Sequence, residues 1–335
     1  ALVSLRSLTD EKLLQPALET LATVLQEPTF PQDAFQRERQ RSLVALREEE
    51  QSPGDIAERR FYAELYGNHP YATEPLGTAA SLKKMSRDAV VAFYKKYYVA
   101  ANALVVVVGD VDKGKAADIA NVLMAKLPKG QPAAAVPEPQ PLAASRTVEV
   151  PYTSTQTHVL AGQIGITRQS SDYFPLYVGN HVLGGNGLVS LLAEQVREKR
   201  GLSYSTYSYF QPMQAEGPFI MGLQTRNNKV KEAIKVMDQT VQGYVKNGPT
   251  DKQLKEAKEN ITGGFPLQID SNSKIAGYLG LIGFYHLPLD YLNTYNDNVE
   301  KVDAADVRRA FDQHVHPGRL LTVIVGGGVK TSSNQ

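Results

Sequence analysis

Hydrophobic and polar positions divide the chain into distinct elements. Residues 1–8 (ALVSLRSL) alternate like a strand, and Thr9-Asp10 follows as a turn and helix cap. An amphipathic helix over 87–98 leads into the apolar run 102–109 (NALVVVVG), which reads as a buried strand, and a further helix lies near 115–126. The end of the chain repeats this order, with a helix over 304–315 and a strand over 319–326 (RLLTVIVG). In between, 146–152 and 158–166 read as strands, 172–183 and 188–199 as helices separated by a Gly-rich turn, and 203–210 as a strand. The longest strongly apolar run, 104–108, falls far short of the roughly 20 residues that cross a bilayer, so no membrane span is expected. No signal-peptide pattern is present, and a chain that opens within a strand is expected to begin inside a domain.

One low-complexity joint, 128–145 (PKGQPAAAVPEPQPLAAS), has the Pro and Ala content of an extended, semi-rigid linker. It separates two lobes, 1–127 and 146–330, and these share a register. Phe93 matches Phe311 at an offset of 218, and Ile56-Ala57 matches Ile275-Ala276 at 219. Phe35 matches Leu254 at 219, and SLRS at 4–7 matches GLQT at 222–225 at 218. Constant spacing over about a hundred residues is the mark of duplicated domains. Residues 1–109 then correspond to 217–326, and the 71 residues 146–216 have no counterpart. Either the first lobe never had a copy of that half, or the first half of a domain is missing.

Composition narrows the chemistry. Of 335 residues, 42% are apolar, and 36 Lys and Arg face 35 Asp and Glu for a net charge of +1. No global field draws nucleic acid or an acidic membrane, so neither is an expected partner. The absence of cysteine removes disulfides, thiolate zinc sites, iron–sulfur ligation and a cysteine nucleophile.

The strongest local signal is 183–210, LGGNGLVSLLAEQVREKRGLSYSTYSYF. One reading is structural: a helix whose C-terminal charges Arg197, Glu198, Lys199 and Arg200 precede a Gly201 cap, then a Tyr-rich strand. In a regular strand Tyr204 faces away from Tyr207 and shares a face with Ser208. The glycines lack the Gly-Lys-Ser/Thr follow-on of a phosphate loop, and there is no Gly-x-Ser-x-Gly elbow for a serine hydrolase.

The other reading comes from resemblance. VREKRGLSYS, NHPYATEPLGT at 68–78, SNSKIAGYLGLIGFYHLPLDYL at 271–292 and the lobe duplication together resemble the pitrilysin/insulysin family of zinc peptidases, which includes the mitochondrial processing peptidase. The resemblance covers nearly the whole chain and implies an α+β fold of two related lobes, each a mainly antiparallel sheet covered by helices, with the first incomplete at its N-terminus. It also implies that Arg197 and Tyr204 hold the substrate backbone, work that suits two donors to peptide carbonyls.

The family's zinc motif, His-x-x-Glu-His, supplies two ligands and the general base from one helix. None of the six histidines, His69, His158, His181, His286, His314 and His316, has that context. Counting from Glu38-Arg39, the family's third ligand falls on Ala45, which cannot coordinate; a slipped register would restore Glu48, otherwise part of a solvated Glu run. His69 reads as a turn residue, and His314 and His316 as residues at a helix end. The implied function is that of a non-catalytic subunit, binding no cofactor itself, which closes a peptide chamber with a zinc-bearing catalytic partner, as a heterodimer in the periplasm or another exported compartment. Two alternatives stand beside it: an active peptidase whose zinc segment lies outside this chain, and a scaffold that binds no peptide.

Overall fold

A computed structural model of the chain describes residues 1–327. Its helices are α1 (Glu11–Gln26), α2 (Gln32–Glu49), α3 (Pro53–Tyr66), α4 (Ala79–Lys84), α5 (Arg87–Tyr97), α6 (Lys113–Met124), α7 (Tyr173–Asn180), α8 (Val230–Asn247), α9 (Asp251–Gly264), α10 (Asn272–Phe284), α11 (Tyr291–Glu300) and α12 (Ala304–His314). The strands are β1 (Arg146–Tyr152), β2 (Gln156–Ile164), β3 (Ser203–Phe210), β4 (Pro218–Arg226) and β5 (Leu321–Gly327). The first residues of α1, α2 and α3 stand 219 positions before those of α8, α9 and α10. The related helices α3 and α10 even share their cap: Ser52 and Ser271 each accept from the backbone N–H three residues on.

Packing divides the chain into two compact units that do not follow the linear lobes. One holds Ala1–Val44, Thr78–Ala135 and Pro266–Leu289; the other holds Ala45–Gly77, Val136–Phe265 and the described residues from Asp290. The segments that cross over are the repeat-related helices α3 and α10. Each belongs by sequence to one lobe and packs in the other unit.

The second unit carries a five-stranded mixed sheet in the order β1-β5-β2-β4-β3, in which β1 and β5 are parallel and every other pair is antiparallel. The period-two pattern of the strands explains the two faces. Leu160, Ile220, Leu321, Val323 and Val325 meet Ala57, Phe61 and Leu65 of α3 on one face. Gly162 lets that helix approach, since a Cβ there would lie 2.9 Å from Phe61 Cζ and 2.2 Å from the Phe219 carbonyl. On the other face Phe210 packs edge-on against Phe311 of α12, and Tyr244 of α8 donates to the Gly179 carbonyl at 2.8 Å.

The first unit has a smaller core, Leu18, Ile119 and Leu123, where α1 meets α6. Here two sequence expectations need correction. Neither 1–8 nor 102–109 pairs into a sheet among the described residues, and Leu104 is 53% exposed rather than buried. The physical reason lies in the repeat. Their counterparts β4 and β5 are both held by β2, and β2 belongs to the stretch that has no copy in the first lobe. Without a ladder partner both segments stay out of a sheet, and of the second, residues such as Val105 and Val107 find cover against the α1–α6 core. Among the described residues, no helix is long and apolar enough to cross a membrane.

Candidate functional site

β3 is the outermost strand of its sheet, paired with β4 on one side and with no strand on the other among the described residues. It is fixed from its covered face. Asn180 donates its side-chain amide to the Ser208 carbonyl at 2.9 Å and accepts from Ser208 Oγ at 2.7 Å. Gly184 fits directly beneath, where a Cβ would come within 2.3 Å of Ser208 Oγ. The pairing of Gln211 with Pro218 turns the Ser208 carbonyl away from β4, so at that position the outer edge of β3 is already taken by Asn180.

The register of β3 breaks at its start. Ser203 pairs with Thr225 and Ser205 with Gln224, so Tyr204 is the extra residue of a β-bulge. Ser203 Oγ holds the bulge, lying 2.6 Å from the Ser205 carbonyl, 2.7 Å from the Gln224 carbonyl and 3.2 Å from the Ser205 N–H. Tyr204 therefore turns outward and is 85% exposed, whereas Ser208 is buried. The shared face expected for these two residues in a regular strand does not form.

Arg197 lies just before the strand, in Ala193–Glu198, where the helix widens to an i→i+5 bond from the Lys199 N–H to the Glu194 carbonyl. The structural duties expected of the charged run fall to its neighbours. Lys199 pairs with Glu194 at 2.5 Å, Arg200 donates to the Gln195 carbonyl at 2.8 Å, and Gly201 closes the end at φ 59° with its N–H on the Arg197 carbonyl. The Arg197 guanidinium, half-buried, makes no ion pair or side-chain hydrogen bond among the described residues. An uncommitted guanidinium and an outward phenol thus stand at the two ends of one short connection into β3.

Beside the edge lies a tyrosine strip that sequence reasoning did not single out as a site. Tyr207 lies over Gly222, where a Cβ would meet its ring at 2.4 Å, and stacks on Tyr209 with centroids 5.9 Å apart. Tyr62 of α3 donates to Gln211 Oε1 at 2.6 Å. Burial and then Glu58 raise the pKa of Tyr207, burial and then the neighbouring Tyr62 and Tyr207 raise that of Tyr209, and burial lifts Tyr62 to about 12, so these phenols stay protonated donors through the neutral range. Leu188 and Val189, on the Gly-rich turn, are also strongly exposed. The only signal for Gly222 in sequence was a glycine inside a strand; the Tyr207 contact depends on a pairing no local pattern displays.

The metal candidates do not assemble. Ala45 sits on α2 without a donor and Glu48 is exposed to solvent. No group of three or more His, Asp or Glu able to hold a metal occurs among the described residues. His69 has both ring nitrogens engaged: Nδ1 accepts from the Tyr71 N–H at 3.1 Å, which puts the proton on Nε2, 2.7 Å from the Pro137 carbonyl. His158 accepts from the Gln224 amide at 3.1 Å, and burial lowers its pKa, partly offset by Asp55. The residues present do not fit the zinc site that the family resemblance implies for an active lobe.

His314 has a structural task. Its Nε2 lies 2.8 Å from Asp172, whose other oxygen takes Arg309 at 2.8 Å. The Arg309 hydrogen bond first, then that of His314, holds the Asp172 pKa below the usual carboxylate range. A depressed folded-state pKa contributes stability above the unfolded value of about 3.9 and loses it as pH falls through the folded value. Asp172→Asn is expected to cost about 1–2 kcal/mol at neutral pH and to flatten the acid limb of stability below about pH 4. Urea midpoints measured from pH 3 to pH 7 check both effects; parallel pH curves for the two proteins would refute the assignment.

Comparison with known proteins gives a family model and several relatives. A family model described as the peptidase M16 inactive domain matches residues 84–261. A crystal structure of a peptidase M16 inactive domain from Pseudomonas fluorescens superposes with a TM-score of 0.92 at 37% identity, over 96% of this chain and 77% of that one. An uncharacterized zinc protease of Streptomyces coelicolor is 26% identical over 79% of this chain, which spans 59% of that protein's length. A protein named non-peptidase homolog YmxG, from Helicobacter pylori, is 27% identical over 94% of this chain and 72% of its own length.

Proposed function

The chain belongs to the peptidase M16 inactive-domain family, and from that premise we propose that it is a non-catalytic, peptide-holding subunit in an exported compartment. The observation that carries the reading is the bulged start of β3, the outermost strand of its sheet, with Tyr204 turned outward and an uncommitted Arg197 seven residues before it. An extended peptide adds to such an edge through backbone hydrogen bonds, which are indifferent to side-chain identity. Arg197 and Tyr204 then donate to carbonyls of the same peptide, and the Tyr207–Tyr209 strip lies beneath every second side chain. A catalytic partner would supply zinc and general base; this chain closes the chamber and sets the strand's register. The name non-peptidase homolog, given to the Helicobacter relative, supports the non-catalytic part of this reading, whereas the Streptomyces relative is named a zinc protease.

A fluorescein-labelled extended peptide titrated into the isolated chain tests the binding step by anisotropy. Tyr204→Ala is expected to weaken binding about fivefold to tenfold, and methylating alternate backbone nitrogens of the peptide to abolish it. If the methylated peptide binds as well as the parent, strand addition is not the mode. The scaffold reading is favoured if neither peptide binds.

A further inference from the structure

Residues 102–109 copy the β5 run at an offset of 217, as NALVVVVG against RLLTVIVG at 319–326. The likeness extends to conformation and surroundings. Gly109 and Gly326, at the same place in the two runs, have φ 155° and 149°. Leu321 of β5 meets α3, and its counterpart Leu104 lies against α10, where a Cβ on Gly283 would come within 2.6 Å of it. Val105 and Val107 turn the other way, to the α1–α6 core. The first unit therefore holds 102–109 as a strand is held, with alternate side chains on opposite faces.

What β5 has and its copy lacks is a ladder. In the second unit β2 runs antiparallel between β5 and β4. Residues 1–8 copy β4 at an offset of 218, and no backbone group of 1–7 or 104–108 makes a hydrogen bond among the described residues. Residues 105–108 are nevertheless half-buried, where backbone groups need partners. On α10 the same shortfall recurs. Ala57, Phe61 and Leu65, which α3 buries on its sheet, stand 219 positions before Ala276, Gly280 and Phe284. Phe284 is 53% exposed, and a Cβ on Gly280 would meet nothing within 4 Å. In the second unit Phe61 sits on Gly162 of β2, bulk on the helix against bare backbone on the strand. In the first unit the helix has the bare position, so a complementary strand brings the bulk.

We propose that the first unit takes up one extended strand from a polypeptide segment outside residues 1–335, in the place that β2 has in the second unit. The strand runs antiparallel to 104–108 on one edge and to 1–8 on the other. Carried over by the repeat, the register sets the Gly162 position opposite Leu104 and Leu2, and the Val159 position opposite Val107 and Leu5. Its chemistry follows: about nine residues, apolar on both faces, with a large side chain at the Gly162 position to fill the space over Gly280. A second copy of this chain fits less well, since its own β2 is already held by β4 and β5. The proposal does not depend on the β3 site.

Two synthetic peptides test it: the β2 sequence QTHVLAGQI with lysines added at both ends, and the same peptide with Gly162→Leu. Each is titrated into the chain and read by hydrogen exchange. Alternate amides of 104–108 are expected to gain at least tenfold protection, and the Leu peptide to bind about tenfold tighter than the Gly peptide. Gly280→Leu, which fills the same space from the helix, is expected to erase that advantage and to leave the circular dichroism of the free chain unchanged. A Leu peptide methylated at the backbone nitrogens facing 104–108 is expected to protect nothing there. The β3 amides are read in the same experiment, so failure at one site is distinct from failure at the other. Unchanged exchange along 104–108 with both peptides, or a Leu advantage that survives Gly280→Leu, would overturn the proposal. So would protection of 104–108 that grows with chain concentration without peptide, which assigns the edge to a second copy.

Discussion

Arg197→Ala, in a complex reconstituted with a zinc-peptidase partner, is expected to lower kcat/KM for a peptide substrate by about 10- to 100-fold. A hydrogen bond from a charged donor is worth roughly 1.5–3 kcal/mol, and each 1.4 kcal/mol is a factor of ten. Tyr204→Phe removes a neutral donor worth roughly 0.5–1.5 kcal/mol, so about a twofold to tenfold loss is expected. The order of the two effects is itself informative. Arg197 makes no competing ion pair in the free chain, so its full donor capacity is available to the substrate. If the contact is made equally in ground and transition states, the loss falls on KM; if the strand must be drawn into register for cleavage, kcat falls too. Arg197→Lys separates charge from geometry, because one ammonium cannot reproduce the planar fork, and partial recovery is expected. Lys199→Ala, which breaks only the local pair with Glu194, is the matched control and is expected to leave hydrolysis near the native rate.

Phe61→Ala is expected to cost about 3–5 kcal/mol of stability, seen as a large fall in urea midpoint. The ring is fully buried where α3 lies on the sheet of the second unit, against the bare backbone of Gly162. Collapse around the vacancy is opposed by that backbone, since β2 is pinned between β4 and β5. The contrast with Phe93 on α5 sharpens the point. Phe93 is 58% exposed, and Phe93→Ala is expected to stay within about 1 kcal/mol. Equal costs at the two positions would mean that α3 does not hold the sheet as described.

Much of the second unit could be read directly from pattern. Residues 146–152 and 203–210 form the strands their alternation indicates, and Gly201 closes the helix before β3 with the positive φ that glycine allows. The bulge at Tyr204 was not legible, because its cause is the Ser203 hydroxyl and a register set by β4, not any feature of hydrophobic period. The repeat register, at 218 or 219, found the related helices within a residue, yet it could not tell that α3 and α10 change places between the units. Correspondence in sequence fixes shape, whereas the choice of packing surface depends on which apolar face lies within reach. In the first unit the reverse failure occurred: residues 102–109 have every property of a buried strand except a neighbour. The polar links Asn180–Ser208 and Asp172–His314 span 28 and 142 positions, beyond any local signal.

Hydrogen exchange of the β3 amides, with and without a saturating extended peptide, tests the central claim most directly. Amides at the start of β3 that point away from β4 are expected to exchange quickly in the free chain and to gain protection when the peptide is added, with the inward amides already protected by β4. Tyr204→Ala should reduce that protection without altering the rates of the free chain. Unchanged exchange along β3 at saturating peptide, or protection confined to other elements, would contradict the account of this chain as a peptide-holding subunit.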